Sequence, residues 1–208
     1  MIKFADYWQT DINQWKKQGQ LPIFRIAGDL DRILNYLTEM TVRPILIYPN
    51  PVLRKEAKQI NRISKDTRRL AQDMLDTMYD ARGIGLAAPQ IGISRQMFTM
   101  DCGIEGGHAR VFINPIIVDS SEEIEISQEG CLSFPEQFVD IERPISCSVR
   151  YKDLEGKTIK ESFEGLEARC VQHEIDHLKG KLFIDHVTDL RRKMVLHNLK
   201  KLLAERNM

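Results

Sequence analysis

The sequence has few cysteines, no long apolar run and no excess of charge of either sign. Its four cysteines are Cys102, Cys131, Cys147 and Cys170, and none belongs to a CxxC pair. Such sparse spacing argues against a disulfide scaffold and favours reduced thiols that pack as small apolar side chains. No apolar stretch approaches the ~18 residues of a membrane span, so we expect no membrane segment.

The net charge and the N-terminal residues indicate which partners and which cellular location to expect. Thirty basic residues balance thirty acidic ones, so composition gives no indication of sequence-specific nucleic-acid binding or of binding to a membrane surface. The opening stretch "MIKFADYWQTDINQWKK" lacks the apolar core of a signal peptide, and its acidic residues argue against an organelle transit peptide. We therefore expect a cytoplasmic protein. Its 208 residues, 42% hydrophobic and 29% charged, suffice for one domain with a real core plus an appendage, or at most for two small domains.

Residues 1–40 differ in pattern from the rest of the chain. Apolar residues recur at helical spacing from Trp8 to Trp15 and again from Leu30 to Leu37, which predicts two short amphipathic helices. We interpret this segment as an N-terminal helical extension that precedes a main domain over 41–208. The extension is expected to cover apolar surface of its own chain. An arm that binds a partner or a second copy, and a natural start at Met40, are the alternatives.

The remaining pattern predicts an α+β fold, in which antiparallel or mixed β-sheets pack around a central helix. That helix carries "ARCVQHEIDHL" and ends near Gly180, a C-cap residue, and a C-terminal helix follows over about 189–205. The other predicted elements are a strand at 45–48, a helix at about 65–81, strands at 95–101, 109–115 and 116–119, and a hairpin around "DLEG".

The stretch "QHEIDH" places His173 and His177 four positions apart with Glu174 between them. Four residues span about 1.1 turns of an α-helix, so both imidazoles project from one face. Two imidazoles on one face can bind a single metal ion, and the acid beside the first can lie over the water of that ion. The pattern predicts a metal site, and a catalytic site of this kind usually needs a third protein ligand.

The third ligand has several candidates in the sequence. The other histidines are His108, His186 and His197, and each is more often a surface or core residue than a ligand. Cys131 lies in "SQEGCLSFPEQ", an apolar and turn-rich segment between predicted strands, where Gly130 gives the backbone room. An isolated cysteine of this kind is more often a buried structural residue, so these features alone leave the third ligand open.

Three stretches carry a resemblance to a known family. "GIGLAAPQIG" (83–92), "EGCLSFP" (129–135) and "QHEIDH" (172–177) occur in this order and together resemble the signature motifs of peptide deformylase in its bacterial form. One HExxH motif alone is weak evidence, because it also occurs in unrelated metallopeptidases. Three independent motifs in register are strong evidence, and the resemblance covers residues 41–208.

The resemblance implies a metal centre and its base. Cys131, His173 and His177 would hold one divalent ion, and Glu174 would act as the general base that then passes its proton to the leaving amine. The resemblance implies Fe²⁺ as the natural ion. A thiolate ligand also suits Zn²⁺, Co²⁺ and Ni²⁺ better than Mg²⁺ or Ca²⁺, so these three ions are expected as substitutes.

The same resemblance implies residues around the substrate. The side-chain amide of Gln90 and the backbone N–H of Leu132 would stabilise the oxyanion formed by attack on a formyl carbon. Ile84 and Gly85 would contact the nascent chain through their backbone, as in strand addition. Asp176 could either orient a ligand histidine or pair on the helix surface, and the sequence leaves that choice open.

The implied activity is hydrolysis of the N-formyl group from the N-terminal formylmethionine of nascent polypeptides, with release of formate. The formylmethionyl nascent peptide is then the substrate, and the ribosome is a transient partner by family implication alone. Two alternatives stay open: an HExxH zinc metallopeptidase, and a non-catalytic deformylase-like protein that keeps only the fold.

Overall fold

The computed structural model describes residues 41–103 and 109–206. The predicted helices of 1–40 lie outside the described residues. Within those ranges the α-helices are α1 (Lys65–Asp80), α2 (Gly165–Leu178) and α3 (Asp189–Arg206). The strands are β1 (Gly85–Ala87), β2 (Met97–Met100), β3 (Arg110–Ser120), β4 (Ile124–Cys131), β5 (Phe134–Pro144), β6 (Ser146–Lys152) and β7 (Thr158–Glu164).

The strands form two antiparallel sheets, which confirms the predicted α+β class. The larger sheet has the order β1-β2-β3-β6-β7, and the smaller consists of β4 and β5. Strand β1 is therefore an edge strand, paired on one side with β2. An edge strand has unpaired backbone donors and acceptors on its other side, and this open edge borders the site described below.

Helix α1 begins and ends with recognisable caps. The Ser64 hydroxyl accepts from the Thr67 backbone N–H, while the Thr67 hydroxyl accepts from the Ser64 N–H, a reciprocal cap that satisfies two otherwise unpaired donors. At the other end Arg82 adopts a φ of 55°, and the Gly83 N–H donates to the Met78 carbonyl, the bond that closes a helix C-terminus. The chain is thereby turned directly into β1.

Helix α2 packs against the large sheet and forms the centre of the protein. Ala168, Val171, Ile175 and Leu178 are buried in one apolar cluster with sheet residues such as Phe98 and Phe112. The helix ends just before Gly180, which has a φ of 68°, and a Cβ added to this glycine would lie 2.5 Å from the Arg54 carbonyl oxygen. Only glycine fits that approach, in agreement with the C-cap predicted there.

Several predicted strands differ from the observed ones. The segments 109–115 and 116–119 form one strand, β3, because a bulge at Asn114, with a φ of 50°, carries the strand past Pro115. The predicted strand at 45–48 is not a strand. Instead the Leu46 N–H donates to the Gln90 carbonyl and the Tyr48 N–H to the Ser133 carbonyl, so this segment ties two of the motif loops together.

The segment around Cys131 is also more regular than predicted. The sequence suggests a turn-rich connection, but the structure has a long antiparallel hairpin, β4–β5, with Cys131 as the last residue of β4. The alternating burial of β5 shows one face on the core and one in solvent. Among the described helices none has the length and apolar character needed to span a membrane.

Candidate metal centre and active site

The metal-ligand candidates converge from two elements. Cys131 comes from the end of β4, and His173 and His177 come from α2. Their ligand atoms all lie within 4.8 Å of one another, and the Cys131 Sγ is 3.2 Å from Nε2 of His177. Of the other histidines, His186 and His197 lie outside this cluster, and His108 is not among the described residues.

The donor set fits a borderline transition-metal ion. One thiolate and two imidazoles suit Fe²⁺, Zn²⁺, Co²⁺ or Ni²⁺ and disfavour Mg²⁺ and Ca²⁺. Burial, reinforced by the neighbouring His173, holds the pKa of His177 well below its ordinary value, so that ring is neutral, as a metal ligand must be. Burial also acts to lower the pKa of His173, but its hydrogen bonds with Cys131 and Glu129 raise that pKa overall.

His173 is oriented by a buried acid that sequence analysis did not assign to the site. Glu129 Oε2 lies 3.0 Å from Nδ1 of His173, which leaves Nε2 of that ring available to a metal ion. Glu129 also accepts hydrogen bonds from Arg143 (2.6 Å) and Arg169 (2.9 Å). Burial would raise the pKa of Glu129, but the bonds with His173 and Arg143 hold it well below its usual range.

A pattern in the sequence would have identified this acid. Residues two apart on a strand point to the same face, so the side chain of Glu129 lies on the same side of β4 as that of Cys131. Because the segment around Cys131 was predicted to be turn-rich and not a strand, this alternation could not be applied to Glu129.

The hydrogen bonds of Asp176 go to residues other than His173 and His177. It accepts from Arg143 Nη1 at 2.9 Å and lies 2.8 Å from Nε2 of His186. Burial raises the pKa of Asp176, but hydrogen bonds with His186 and Arg143 outweigh this and lower the pKa to about 2. Of the two roles left open by the sequence, the structure shows pairing, and the Arg143 guanidinium bonded to Asp176 is also bonded to Glu129.

Glu174 lies beside the ligand pair with a free oxygen. Its side chain is buried, and Oε2 has no hydrogen-bond partner among the described residues. Burial is the main cause of a pKa raised to about 7, with the charge of Glu129 adding to the rise and that of His173 opposing it. A carboxylate of that pKa can take up and give back a proton near neutral pH.

Gly85 provides the space that the Glu174 carboxylate occupies. A Cβ built on Gly85 would lie 2.5 Å from Oε1 of Glu174 and 2.8 Å from Sγ of Cys170. The small residue in β1 therefore allows the helix acid to approach the strand backbone. Ile84, just before it, uses its carbonyl to accept from the Asp101 N–H at 2.9 Å.

Gln90 is held with its amide nitrogen towards the centre. Its Oε1 accepts from the Ala87 N–H at 2.8 Å, which fixes the orientation of the amide group. Its Nε2 then lies 3.3 Å from Oγ of Ser133 and 3.6 Å from Sγ of Cys131. Leu132 and Ser133 form the turn between β4 and β5, so a backbone segment and a side-chain amide meet next to the thiol.

These groups border one cleft with a cavity of about 280 Å³. One wall is the segment leading into β1, with Ile84 and Gly85, and the opposite wall is the β4–β5 hairpin, with Cys131 and Leu132. Every residue predicted to contribute to catalysis or substrate binding therefore lies at this cleft, together with Cys131 and His173. Cys170 and Glu129 also line it.

Known proteins match this chain over most of its length. The model of the family Polypeptide deformylase matches residues 42–193. The peptide deformylase of Rhizobium meliloti (strain 1021) is 50% identical over 164 residues, which cover 78% of this chain and 94% of that protein. The peptide deformylase of Brucella suis is 47% identical over 169 residues, covering 80% and 97%.

Solved structures agree with the sequence matches. A crystal structure of a peptide deformylase from Legionella pneumophila is 41% identical and superposes with a TM-score of 0.77, covering 80% of this chain and 98% of that one. The Ehrlichia chaffeensis enzyme, solved in complex with actinonin, is 36% identical with a TM-score of 0.74, covering 78% and 98%. The chain therefore belongs to the polypeptide deformylase family, a family of metal-dependent hydrolases.

Proposed function

We propose that this chain removes the N-formyl group from the N-terminal formylmethionine of nascent polypeptides and releases formate, using the cleft between β1 and the β4–β5 hairpin. The observation that carries the proposal is the convergence of a Cys-His-His cluster, the buried Glu174 and the oriented amide of Gln90 in one cleft. A structural cysteine would not require two imidazoles at its sulfur and an acid with a free oxygen beside them.

Cys131, His173 and His177 are proposed to hold one divalent ion, Fe²⁺ as the natural one, with Zn²⁺, Co²⁺ or Ni²⁺ as substitutes. When bound, the ion supplies Lewis acidity that makes hydroxide available near neutral pH. Glu129 holds the His173 ring from behind, so the geometry of the donor set does not depend on the substrate.

Glu174 is proposed as the general base. Its free Oε2 would take the proton of the attacking water and then deliver it to the nitrogen of the departing amine. The pKa of about 7 suits both steps, because a base that ionises near the working pH accepts and returns a proton at little cost.

Gln90 and Leu132 are proposed to stabilise the oxyanion. Nε2 of Gln90 and the backbone N–H of Leu132 are neutral donors on the Cys131 side of the cleft, and one donor of this kind contributes about 3 kcal/mol to transition-state stabilisation. Because the Ala87 N–H fixes the amide group, the donor needs no reorganisation during the reaction.

The open edge of β1 is proposed as the platform for the peptide backbone. The Ile84 carbonyl is directed to β2, and consecutive residues of a strand direct their backbone groups to opposite edges. The backbone groups of Gly85 therefore face the cleft, where an extended formyl peptide can add as a further strand. Gly85 is thus proposed to bind the substrate through its main-chain atoms, and Ile84, which also lines the cleft, through its side chain.

The test is a comparison of two substrates and two variants. Metal-loaded protein should release formate and a free N-terminal amine from formyl-Met-Ala-Ser and leave an unblocked, internally cleavable peptide intact. Glu174→Gln should lower turnover by at least ~10³-fold while retaining the metal, and Glu142→Gln, an exposed acid on β5, should behave as wild type. Backbone scission would favour the metallopeptidase alternative, and no turnover by loaded wild type would favour the non-catalytic one.

The remaining assignments concern the setting of the enzyme. A cytoplasmic location is proposed because the substrate is a nascent chain. Transient ribosome association is proposed on family grounds and is supported by exposed cations of α3, including Lys193, Lys200 and Lys201. Co-sedimentation with ribosomes tests this association, and a Lys200→Glu, Lys201→Glu double variant should lose it.

The division into an extension over 1–40 and a catalytic domain over 41–208 also stays a proposal, supported by a family match that begins at residue 42.

A further inference from the structure

Phe138 is exposed at the border of the cleft, unlike the other phenylalanines that the structure describes. Its exposed fraction is 49%, whereas the remaining ones are nearly inaccessible. Those buried rings are Phe98, Phe112, Phe134, Phe163 and Phe183. Phe138 lines the same cleft as Cys131 and Glu174. A large apolar side chain left half in solvent beside a catalytic cleft gains free energy by contact with whatever occupies that cleft.

The position of this ring is set by a glycine beside the metal ligand. Phe138 is paired with Gly130 across the β4–β5 hairpin, and a Cβ built on Gly130 would lie 2.6 Å from Cε1 of the ring. The ring therefore lies against the backbone immediately before Cys131. Any larger residue at 130 would displace it, so the sequence pair Gly130 and Phe138 places an aromatic surface next to the reacting centre.

We propose that Phe138 determines specificity for the residues that follow the formylmethionine, and that it favours apolar side chains there. The inference rests on the proposed function. If the formyl group lies at Cys131 and the peptide extends along β1, the residues after the methionine would run along the cleft that Phe138 lines. An apolar side chain at position two or three of the substrate would then cover the exposed part of the Phe138 ring, while a polar one of the same size would lose hydration without a new hydrogen bond.

Leucine and asparagine are the appropriate probes because they are nearly isosteric and uncharged. The values of kcat/KM are measured for formyl-Met-Leu-Ser, formyl-Met-Asn-Ser, formyl-Met-Ala-Leu and formyl-Met-Ala-Asn. The kcat/KM of wild type should be about fivefold higher for leucine than for asparagine at one of the two positions. This ratio is smaller than the discrimination that one methylene gives in a closed apolar pocket, because part of the Phe138 ring stays in solvent. The preference should lie in KM rather than in kcat.

Three variants complete the experiment. Phe138→Ser should reduce the leucine preference to about one- to twofold, and Phe138→Tyr, which keeps the ring face, should retain most of it. The matched control is Ile126→Ser, since Ile126 is 65% exposed on β4 but does not line the cleft. That control should keep the wild-type ratio.

The outcomes separate the inference from the function on which it rests. A leucine preference that is absent from wild type, or that survives Phe138→Ser unchanged, overturns the role of Phe138 while formate release still supports the deformylase activity. If loaded wild type hydrolyses none of the four peptides, the proposed function and the inference fail together.

Discussion

Glu129 and His173 lie 3.0 Å apart, Oε2 to Nδ1, in the interior of the protein. The carboxylate is fixed in turn by Arg143 and Arg169, so the ring of one proposed metal ligand is oriented by a network of residues outside the proposed donor set. Such outer partners are typically worth ~10- to 100-fold in metal affinity.

Glu129→Gln is therefore expected to weaken metal binding by about 10- to 100-fold. The amide keeps the shape but loses the charge that fixes the ring and pairs with the two arginines. Metal loss to a competing chelator measures the effect directly, and Glu142→Gln, an exposed substitution of the same kind on β5, is the control. Equal metal affinity in both variants would show that Glu129 has no part in holding His173 for the ion.

Gln90→Glu is expected to lower kcat by about 10²- to 10³-fold, the usual loss of one oxyanion donor. One carboxylate oxygen can still accept from the Ala87 N–H, but the other would replace the amide nitrogen that lies 3.6 Å from Sγ of Cys131. The site then loses a donor and gains a negative charge. Steady-state kinetics with formyl-Met-Ala-Ser checks this, and Gln128→Glu on the exposed face of β4 should leave kcat unchanged.

Gly85→Ala is expected to reduce kcat by at least ~10-fold while leaving metal content near wild type. The new Cβ would lie 2.5 Å from Oε1 of Glu174, so the carboxylate must move. Metal analysis and kinetics on the same preparation separate a displaced base from a lost ion. Wild-type kcat in a fully loaded Gly85→Ala protein would count against Glu174 as the general base in its observed position.

The motifs predicted residues that the structure brings together at one cleft, and hydrophobic periodicity predicted most of the helices and strands that carry them. Helix α1 is predicted at about 65–81 and spans Lys65–Asp80, because its capping residues and apolar stripe are local signals. The β4–β5 hairpin is missed because "EGCLSFPEQ" reads as turn chemistry, and only its pairing with a second strand makes it regular. Glu129 is missed for the same reason, because the direction of its side chain depends on β4 being a strand.

Arg82→Gly is expected to raise the free energy of unfolding by about 0.5–1 kcal/mol. Arg82 has a φ of 55° at the C-terminus of α1, a left-handed conformation that costs a residue with a Cβ more than it costs glycine. Urea unfolding monitored by circular dichroism measures the gain. Arg82→Ala keeps the Cβ and should not stabilise the protein, so a similar gain in both variants would point to the lost charge instead of the backbone.

Asp185 should contribute stability that depends on pH. Burial acts to raise its pKa, but the hydrogen bonds from Arg54 and from the Leu182 N–H outweigh this and lower it below the ordinary 3.8. A carboxyl group with a lower pKa in the folded state stabilises the fold fully above its unfolded pKa, and this contribution is lost as the pH falls through the folded pKa.

Asp185→Asn should therefore destabilise the protein more at pH 7 than at pH 3. Urea unfolding of both proteins at a series of pH values measures the difference in free energy of unfolding, which should shrink steadily below about pH 4. Asp189→Asn is the matched control, because the Asp189 side chain is 87% exposed and its pair with Arg192 spans 3.6 Å, so its removal should have little effect at any pH. A difference for Asp185→Asn that stays constant from pH 7 to pH 3 would mean that the Arg54 pair depends on shape and hydrogen bonding alone, and not on the charge of the carboxylate.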